Sequence, residues 1–279
     1  MTHPHSQTGM AGLALKALAD FWADMGLEEA RLFNLPRPAA SRPALPTRQA
    51  ERPPGSMPAA RPEPKRLNNN PIAEARRLAA SATTLAELRS VIQGFNGCDL
   101  KKASKNTVVC DGAFEADIML VGEAPGGEED QMGLPFVGRA GKLLDKMLAT
   151  IGISRTENIY ITNLIYWRPP GNRDPSPVEM QICAPFLSRQ IELKQPKLLL
   201  TAGKFATQAM LGTEDGIMRL RGRRLRFTQD GLAKPIPCIP LLHPAYLLRR
   251  PEDKAKAWDD LRTIATVCDE LGVKRGQAL

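Results

Sequence analysis

Residues 117–130 read DIMLVGEAPGGEED, and the change of character at Gly122 decides the architecture. A continuous apolar run this short, ended by glycine, is a strand buried on both faces. Three more runs have the same form: residues 158–163 (NIYITN), 197–202 (KLLLTA) and 236–241 (IPCIPL). Helical stretches are predicted between them at residues 138–151, 177–194 and 204–211. Apolar strands alternating with helices imply parallel pairing through right-handed crossovers. The expected fold class is therefore α/β, a three-layer αβα domain around a central four-stranded parallel sheet. Ligands of such sheets gather outside the carboxyl ends of the strands.

Upstream of this region the composition changes. Residues 36–71 hold ten of the 24 prolines and lack Ile, Val, Phe, Trp and Tyr. Such a segment cannot offset its ordering entropy by burial, so residues 36–70 are expected to be a disordered, Pro/Arg-rich linker. Asn70-Pro71 reads as an N-cap and first turn, opening a helix through about Gln93. Ahead of the linker, residues 1–35 form a separate region. Its Leu15, Leu18, Trp22 and Met25 have amphipathic helical spacing. That helix fits docking on its own protein and binding an unidentified protein partner equally well. Residues 71–279 form the expected catalytic domain.

With 43% hydrophobic residues, the chain of 279 can bury a sizeable core. No apolar run reaches the length of a membrane span, and the N-terminus has no secretory pattern. Five cysteines from Cys98 to Cys268 do not make a disulfide framework, which favours a reducing compartment. The net charge is +8, but residues 36–70 carry seven basic and two acidic side chains and so hold most of the excess. Two readings remain, a solvated linker and a tether to phosphates.

The loops after the strands carry unusual residues. GEAPGGEED (122–130) makes a tight turn with Glu123, Glu128, Glu129 and Asp130 in it. Its charge disfavours a phosphate cradle and suits a site that stabilises a cation or activates water. Phe136, bracketed by proline and glycine, suits stacking on a flat ligand, and equally an anchor under the sheet. Asn163 at a strand terminus suits reading a nucleobase edge, or closing an Asx turn. His243 follows the fourth strand, ahead of Leu247, Leu248, Arg249 and Arg250, which read as an exposed apolar wedge flanked by phosphate anchors.

Taken together, these motifs resemble the uracil-DNA glycosylase superfamily, most closely its family 4 branch. The matching stretches are GEAPGGEED (122–130), GLPFVGRAGKLLDKML (133–148), ITNLIYWRPPGNRDPS (161–176), residues 183–206 and HPAYLLRRP (243–251). The resemblance implies an enzyme that flips uracil out of DNA and hydrolyses its N-glycosidic bond, leaving an abasic site. It implies Glu123, Asn163 and His243 as the catalytic residues. A uracil-binding set of Ala124, Phe136, Asn163, Glu129 and His243 is implied as well. On that resemblance, Phe136 would stack on the base, Asn163 would read O4 and N3–H, His243 would donate to O2, and Glu129 would wall off C5. Glu123 ranks ahead of Glu129 for handling water. DNA contacts are implied for Leu247, which fills the gap left by the base, and for Leu248, Arg249, Arg173, Arg221, Arg223 and Lys204. The basic ribbon at residues 218–227 also fits an exposed hairpin face.

Family 4 members generally hold a four-iron, four-sulfur cluster on four cysteines, and here the chain departs from the pattern. Its equivalent positions are Phe95, Cys98, Trp167 and Cys183. Two thiolates are too few, so no cofactor and no metal are expected, with Phe95 and Trp167 filling the volume. The residues after PPGNR lack the histidine-containing basic insert of a branch that traps DNA covalently, so turnover is expected. Family 5 lacks an acid in the first motif, whereas Glu123 is present. The expected partner is uracil-containing DNA, met by a monomer in a bacterial-type cytoplasm at the nucleoid, with a wider range of damaged bases left open. The rival reading is a non-catalytic module on the same fold that binds damaged or single-stranded DNA. A nucleotide-cofactor enzyme is disfavoured by the acids in the first loop.

Overall fold

The computed structural model describes residues 70–277. The N-terminal helix region and the Pro/Arg-rich segment, Asn70 excepted, lie outside the described residues. Asn70 caps the first helix as its sequence implies, its Oδ1 accepting the N–H groups of Ile72 at 3.1 Å and Ala73 at 3.4 Å. The single helix expected to reach Gln93 is two helices, α1 (Pro71–Ser81) and α2 (Leu85–Gly94). The break has a local cause in a new N-cap. Thr84 Oγ1 accepts the N–H of Glu87 at 3.1 Å, and the Glu87 carboxylate takes the N–H and hydroxyl of Thr83 at 2.7 and 2.8 Å.

The order continues with α3 (Leu100–Ala103), β1 (Cys110–Gly112), β2 (Ile118–Gly122), α4 (Gly127–Met132), α5 (Arg139–Ala149) and β3 (Ile159–Asn163). Then follow α6 (Pro177–Lys194), β4 (Leu198–Ala202), α7 (Lys204–Leu211), α8 (Ile217–Leu220), β5 (Leu225–Phe227) and β6 (Ile236–Leu241). The last helices are α9 (Pro244–Arg249) and α10 (Lys254–Glu270). The sheet has the order β1-β3-β2-β4-β6-β5. Its inner four strands are parallel and are the four anticipated from the apolar runs. Two short antiparallel edge strands extend it, β1 against β3 and β5 against β6. Neither carries a continuous apolar run; β1 was not expected, while β5 falls in the basic ribbon at residues 218–227, for which a hairpin face was one of the two readings. Helix α4 replaces the expected acidic loop, and α10 was likewise not expected.

Side chains leave the sheet alternately, as a period of two requires. Met119, Val121, Tyr160, Leu199 and Cys238 pack on one side, in a cluster with residues of α1, α2 and α6. Ile118, Leu120, Ile159, Ile161, Leu200, Ile239 and Leu241 pack on the other with α5, α9 and α10. Three layers result. From β2 the chain runs first to β3 on one flank and then to β4 on the other. The resulting switch in direction opens a crevice at the carboxyl ends of these strands.

Candidate active site

Each inner strand delivers one segment to that crevice. Glu123 and Ala124 follow β2, Asn163 ends β3, Gly203 and Lys204 follow β4, and His243 follows β6. A cleft of about 570 Å³ is lined by Glu123, Ala124, Glu129, Phe136, Asn163 and His243, and also by Arg173, Lys204 and Arg249.

Asn163 is 2% exposed, and its Oδ1 has no hydrogen-bond partner. A buried acceptor left open costs about 1–3 kcal/mol, so the amide is held ready for a donor that arrives with a ligand. Its neighbour across the strand pair is Gly122, in register with it. A Cβ on Gly122 would lie 2.3 Å from Asn163 Oδ1 and 2.5 Å from the Phe136 ring. Glycine there lets the ring and the amide share one corner.

Phe136 is buried and has φ +52°, a left-handed conformation that costs a non-glycine residue roughly 1–2 kcal/mol. Helix α5 begins hard against its carbonyl, since a Cβ on Gly141 would meet Phe136 O at 1.8 Å. The ring lies 5.7 Å from the His243 ring, centroid to centroid, tilted by 31°.

His243 is the N-cap of α9, and its Nδ1 accepts the N–H of Ala245 at 3.1 Å. A neutral imidazole accepting there carries its proton on Nε2. Burial pushes its pKa down to about 4; Arg249 adds to this and Glu129 opposes it. The ring is therefore a neutral donor at physiological pH. Glu123 is shifted the other way. Burial, and secondarily the charge of Asp174, raise its pKa to about 7. A carboxylate poised near neutrality suits general-base work.

Glu129 faces the same cleft but is committed to the loop. Its Oε2 accepts Gly126 N–H at 3.1 Å, and its Oε1 accepts Val137 and Gly138 N–H at 3.1 and 2.9 Å. It ties the GEAPGG turn to the Phe136 loop.

The expected DNA contacts divide. Leu247 is fully buried in the core beneath α9, so the expectation that it stands exposed as a wedge is corrected: its place on the helix faces the sheet. Leu248 is half-buried and Arg249 exposed. Arg221 does not project as a free cation. It pairs with the buried Asp260 at 2.7 Å and donates to the carbonyl of Lys256. Arg223 is exposed. Arg173 reaches the cleft while forming a two-pronged pair with Glu179, at 2.6 and 2.9 Å.

A model of the uracil DNA glycosylase superfamily matches residues 110–262. The chain belongs to that superfamily. It is 40% identical over 189 residues to the type-4 uracil-DNA glycosylase of Archaeoglobus fulgidus, covering 66% of this chain and 94% of that one. The type-4 enzyme of Saccharolobus solfataricus is 40% identical over 60% of this chain and 78% of its own. That of Thermotoga maritima is 42% identical over 54% and 77% respectively. These likenesses put the chain in the type-4 branch of the superfamily.

The type-4 cluster needs four thiolates, and the residues here do not fit it. Cys98 and Cys183 are buried, the Cys98 thiol drawn below its usual range by a hydrogen bond to Cys183, whose own is held up by burial. Phe95 and Trp167 pack beside them, 6.3 Å apart, with Phe186 edge-on to Phe95 at 5.1 Å. Among the described residues, no group of three or more His, Cys, Asp or Glu could hold a metal ion.

Asn172, Asp174 and Tyr246 also line the cleft and were not singled out from the sequence. Asp174 could have been found directly after PPGNR. Tyr246 sits about one helical turn beyond His243, beside the buried Leu247, and packs partly against the same core.

Proposed function

We infer that the chain is a uracil-DNA glycosylase, a hydrolase that extrudes uracil from the DNA stack, breaks its C1′–N1 bond and leaves an abasic site. The observation that carries this reading is the unpartnered Asn163 Oδ1, buried beside the Phe136 ring in a cleft that also holds the neutral imidazole of His243. Uracil supplies an N3–H donor for Oδ1 and an O4 acceptor for the amide nitrogen. Cytosine reverses both, leaving buried polar groups unpaired, a kind of mismatch that can cost about 10⁴–10⁵ in specificity.

Phe136 stacks on the flipped base, with Ala124 beside it. As the C1′–N1 electron pair passes to the base, His243 Nε2–H donates to O2. One such preorganised donor is typically worth about 2.7–4 kcal/mol. Glu123 accepts the proton of the water that attacks C1′ and offsets the positive charge growing on the sugar. Glu129 is assigned to the C5 edge, where thymine carries a methyl group. Arg173, Lys204, Arg249 and Arg223 are assigned to phosphates. Leu248 takes the place first given to Leu247, filling the gap left by the extruded base.

The enzyme works without an iron–sulfur cluster, because two thiols cannot supply four ligands and aromatic rings occupy the other two positions. It acts as a monomer on DNA at the nucleoid, through a catalytic domain that begins at residue 71. Among the described residues no helix is long and apolar enough to cross a membrane.

The test is a panel of oligonucleotides carrying single damaged bases, treated with alkali to reveal abasic sites. Uracil is expected to be cleaved, and Asn163→Ala and His243→Ala to lose at least about 10²-fold in turnover. Uracil binding without cleavage by the wild-type enzyme would instead establish the non-catalytic reading.

A further inference from the structure

Arg155 lies in the turn between α5 and β3, with a side chain only 18% exposed. A guanidinium has five N–H donors, and here five hydrogen bonds are made. Nε and Nη2 bind Asp145 Oδ1 of α5 at 3.2 and 3.0 Å, and Nη1 binds Asp111 Oδ2 of β1 at 2.7 Å. The other two go to consecutive carbonyls of the cleft loop, Pro135 O at 2.8 Å and Phe136 O at 2.6 Å. Of the residues involved, Phe136 alone lines the cleft. The fork thus fastens the loop to the sheet edge and to a helix at once, with its direction set by two carboxylates.

What it fastens is a residue held in a left-handed conformation. Phe136 has φ +52°, and rotation back to an ordinary conformation would swing its ring away from His243 and from Asn163. Gly141 of α5 lies close against the Phe136 carbonyl, where a Cβ would come within 1.8 Å of its oxygen, but glycine has no side-chain donor to hold it. We propose that Arg155 is a positioning residue that sets the stacking face of the base pocket by clamping the Pro135 and Phe136 carbonyls. This rests on the glycosylase reading and extends it to a residue outside the cleft. Lysine cannot replace the fork, because a single ammonium does not span two carbonyls and two carboxylates in one plane.

The experiment measures kcat and KM on a uracil oligonucleotide and inhibition by free uracil, for the wild type, Arg155→Lys, Arg155→Ala, Phe136→Ala and the double variant Arg155→Ala/Phe136→Ala. A misplaced ring is expected to lower kcat/KM on the order of 10²-fold, and to weaken uracil inhibition about tenfold, the range of one lost stacking contact. The decisive readout is the double variant. If Arg155 acts through the ring, its loss adds nothing to the uracil inhibition constant once Phe136 is alanine. Millimolar guanidinium is expected to restore part of the activity of Arg155→Ala. Arg155→Lys keeps the charge, and so preserves the test if the alanine variant does not fold. Independent, multiplying effects on uracil inhibition, or wild-type inhibition in Arg155→Lys, overturn the proposal. A wild type that neither cleaves uracil nor is inhibited by it defeats the glycosylase reading instead.

Discussion

Glu123 and His243 are both displaced by burial, in directions that suit opposite tasks. Glu123, with its pKa near 7, must lose its proton before it can accept one from water. Activity should therefore be low below neutrality, rise through about pH 7 and level off above it. His243, with its pKa near 4, is already neutral across that range and adds no limb of its own. A kcat/KM profile from mildly acidic to mildly alkaline pH checks this. Glu123→Gln is expected to abolish the rising limb and cost about 10²–10⁴-fold. Asp174→Asn removes a negative charge that raises the Glu123 pKa, so its limb should move to lower pH. A wild-type profile flat through neutrality would remove Glu123 from the base role. That Asn163 and His243 would reach the cleft was visible beforehand, because the one ends an apolar strand and the other follows one by two residues. The acid–base balance was not, because it depends on how deeply each group is buried.

At the level of elements, the aromatic plug joins α2, the segment after β3, and α6. Phe95 caps α2, its N–H bonded to the carbonyls of Ile92 and Val91, while the Trp167 indole N–H donates to Thr107 Oγ1 at 3.0 Å. Truncating Trp167 to alanine would leave a cavity among fully buried side chains. That should lower the unfolding free energy by about 3–5 kcal/mol, measurable by denaturant titration. Protein purified anaerobically is expected to hold no stoichiometric iron or acid-labile sulfide; finding one cluster per chain would overturn the cluster-free proposal. The missing cysteines could be read only through the resemblance to family 4, whose motif positions fall on Phe95 and Trp167. That the rings meet each other and Phe186, with the free thiols of Cys98 and Cys183 hydrogen-bonded to each other, required the packing of three elements distant in sequence.

Across the whole molecule, every residue assigned to base recognition lies in residues 123–243, and five of the eight net positive charges lie in residues 36–70. Deleting residues 1–69 should leave kcat/KM on short uracil oligonucleotides close to that of the full chain. Binding to long DNA should weaken, with a shallower salt dependence, since each lost phosphate contact removes about 0.9 from the slope of log K against log salt. Binding titrations at several salt concentrations check this. A collapse in folding or turnover would instead make the N-terminal region part of the catalytic domain.

Short, mostly apolar runs at residues 117–122, 158–163, 197–202 and 236–241, separated by helical stretches, pointed to four parallel strands and the loops where chemistry would sit. Runs this short, flanked by helical stretches, fit strands buried on both faces of a parallel sheet better than they fit buried helices. Leu247, Arg221 and Arg155 show what lay beyond that reading. Whether a leucine on α9 faces DNA or the core depends on the phase of the helix against the sheet. Whether an arginine meets phosphate or Asp260 depends on which distant carboxylate packs beside it. The clamp on Phe136 exists only because β1, α5 and the cleft loop converge on one guanidinium, and contacts between segments so far apart along the chain leave no local pattern in it.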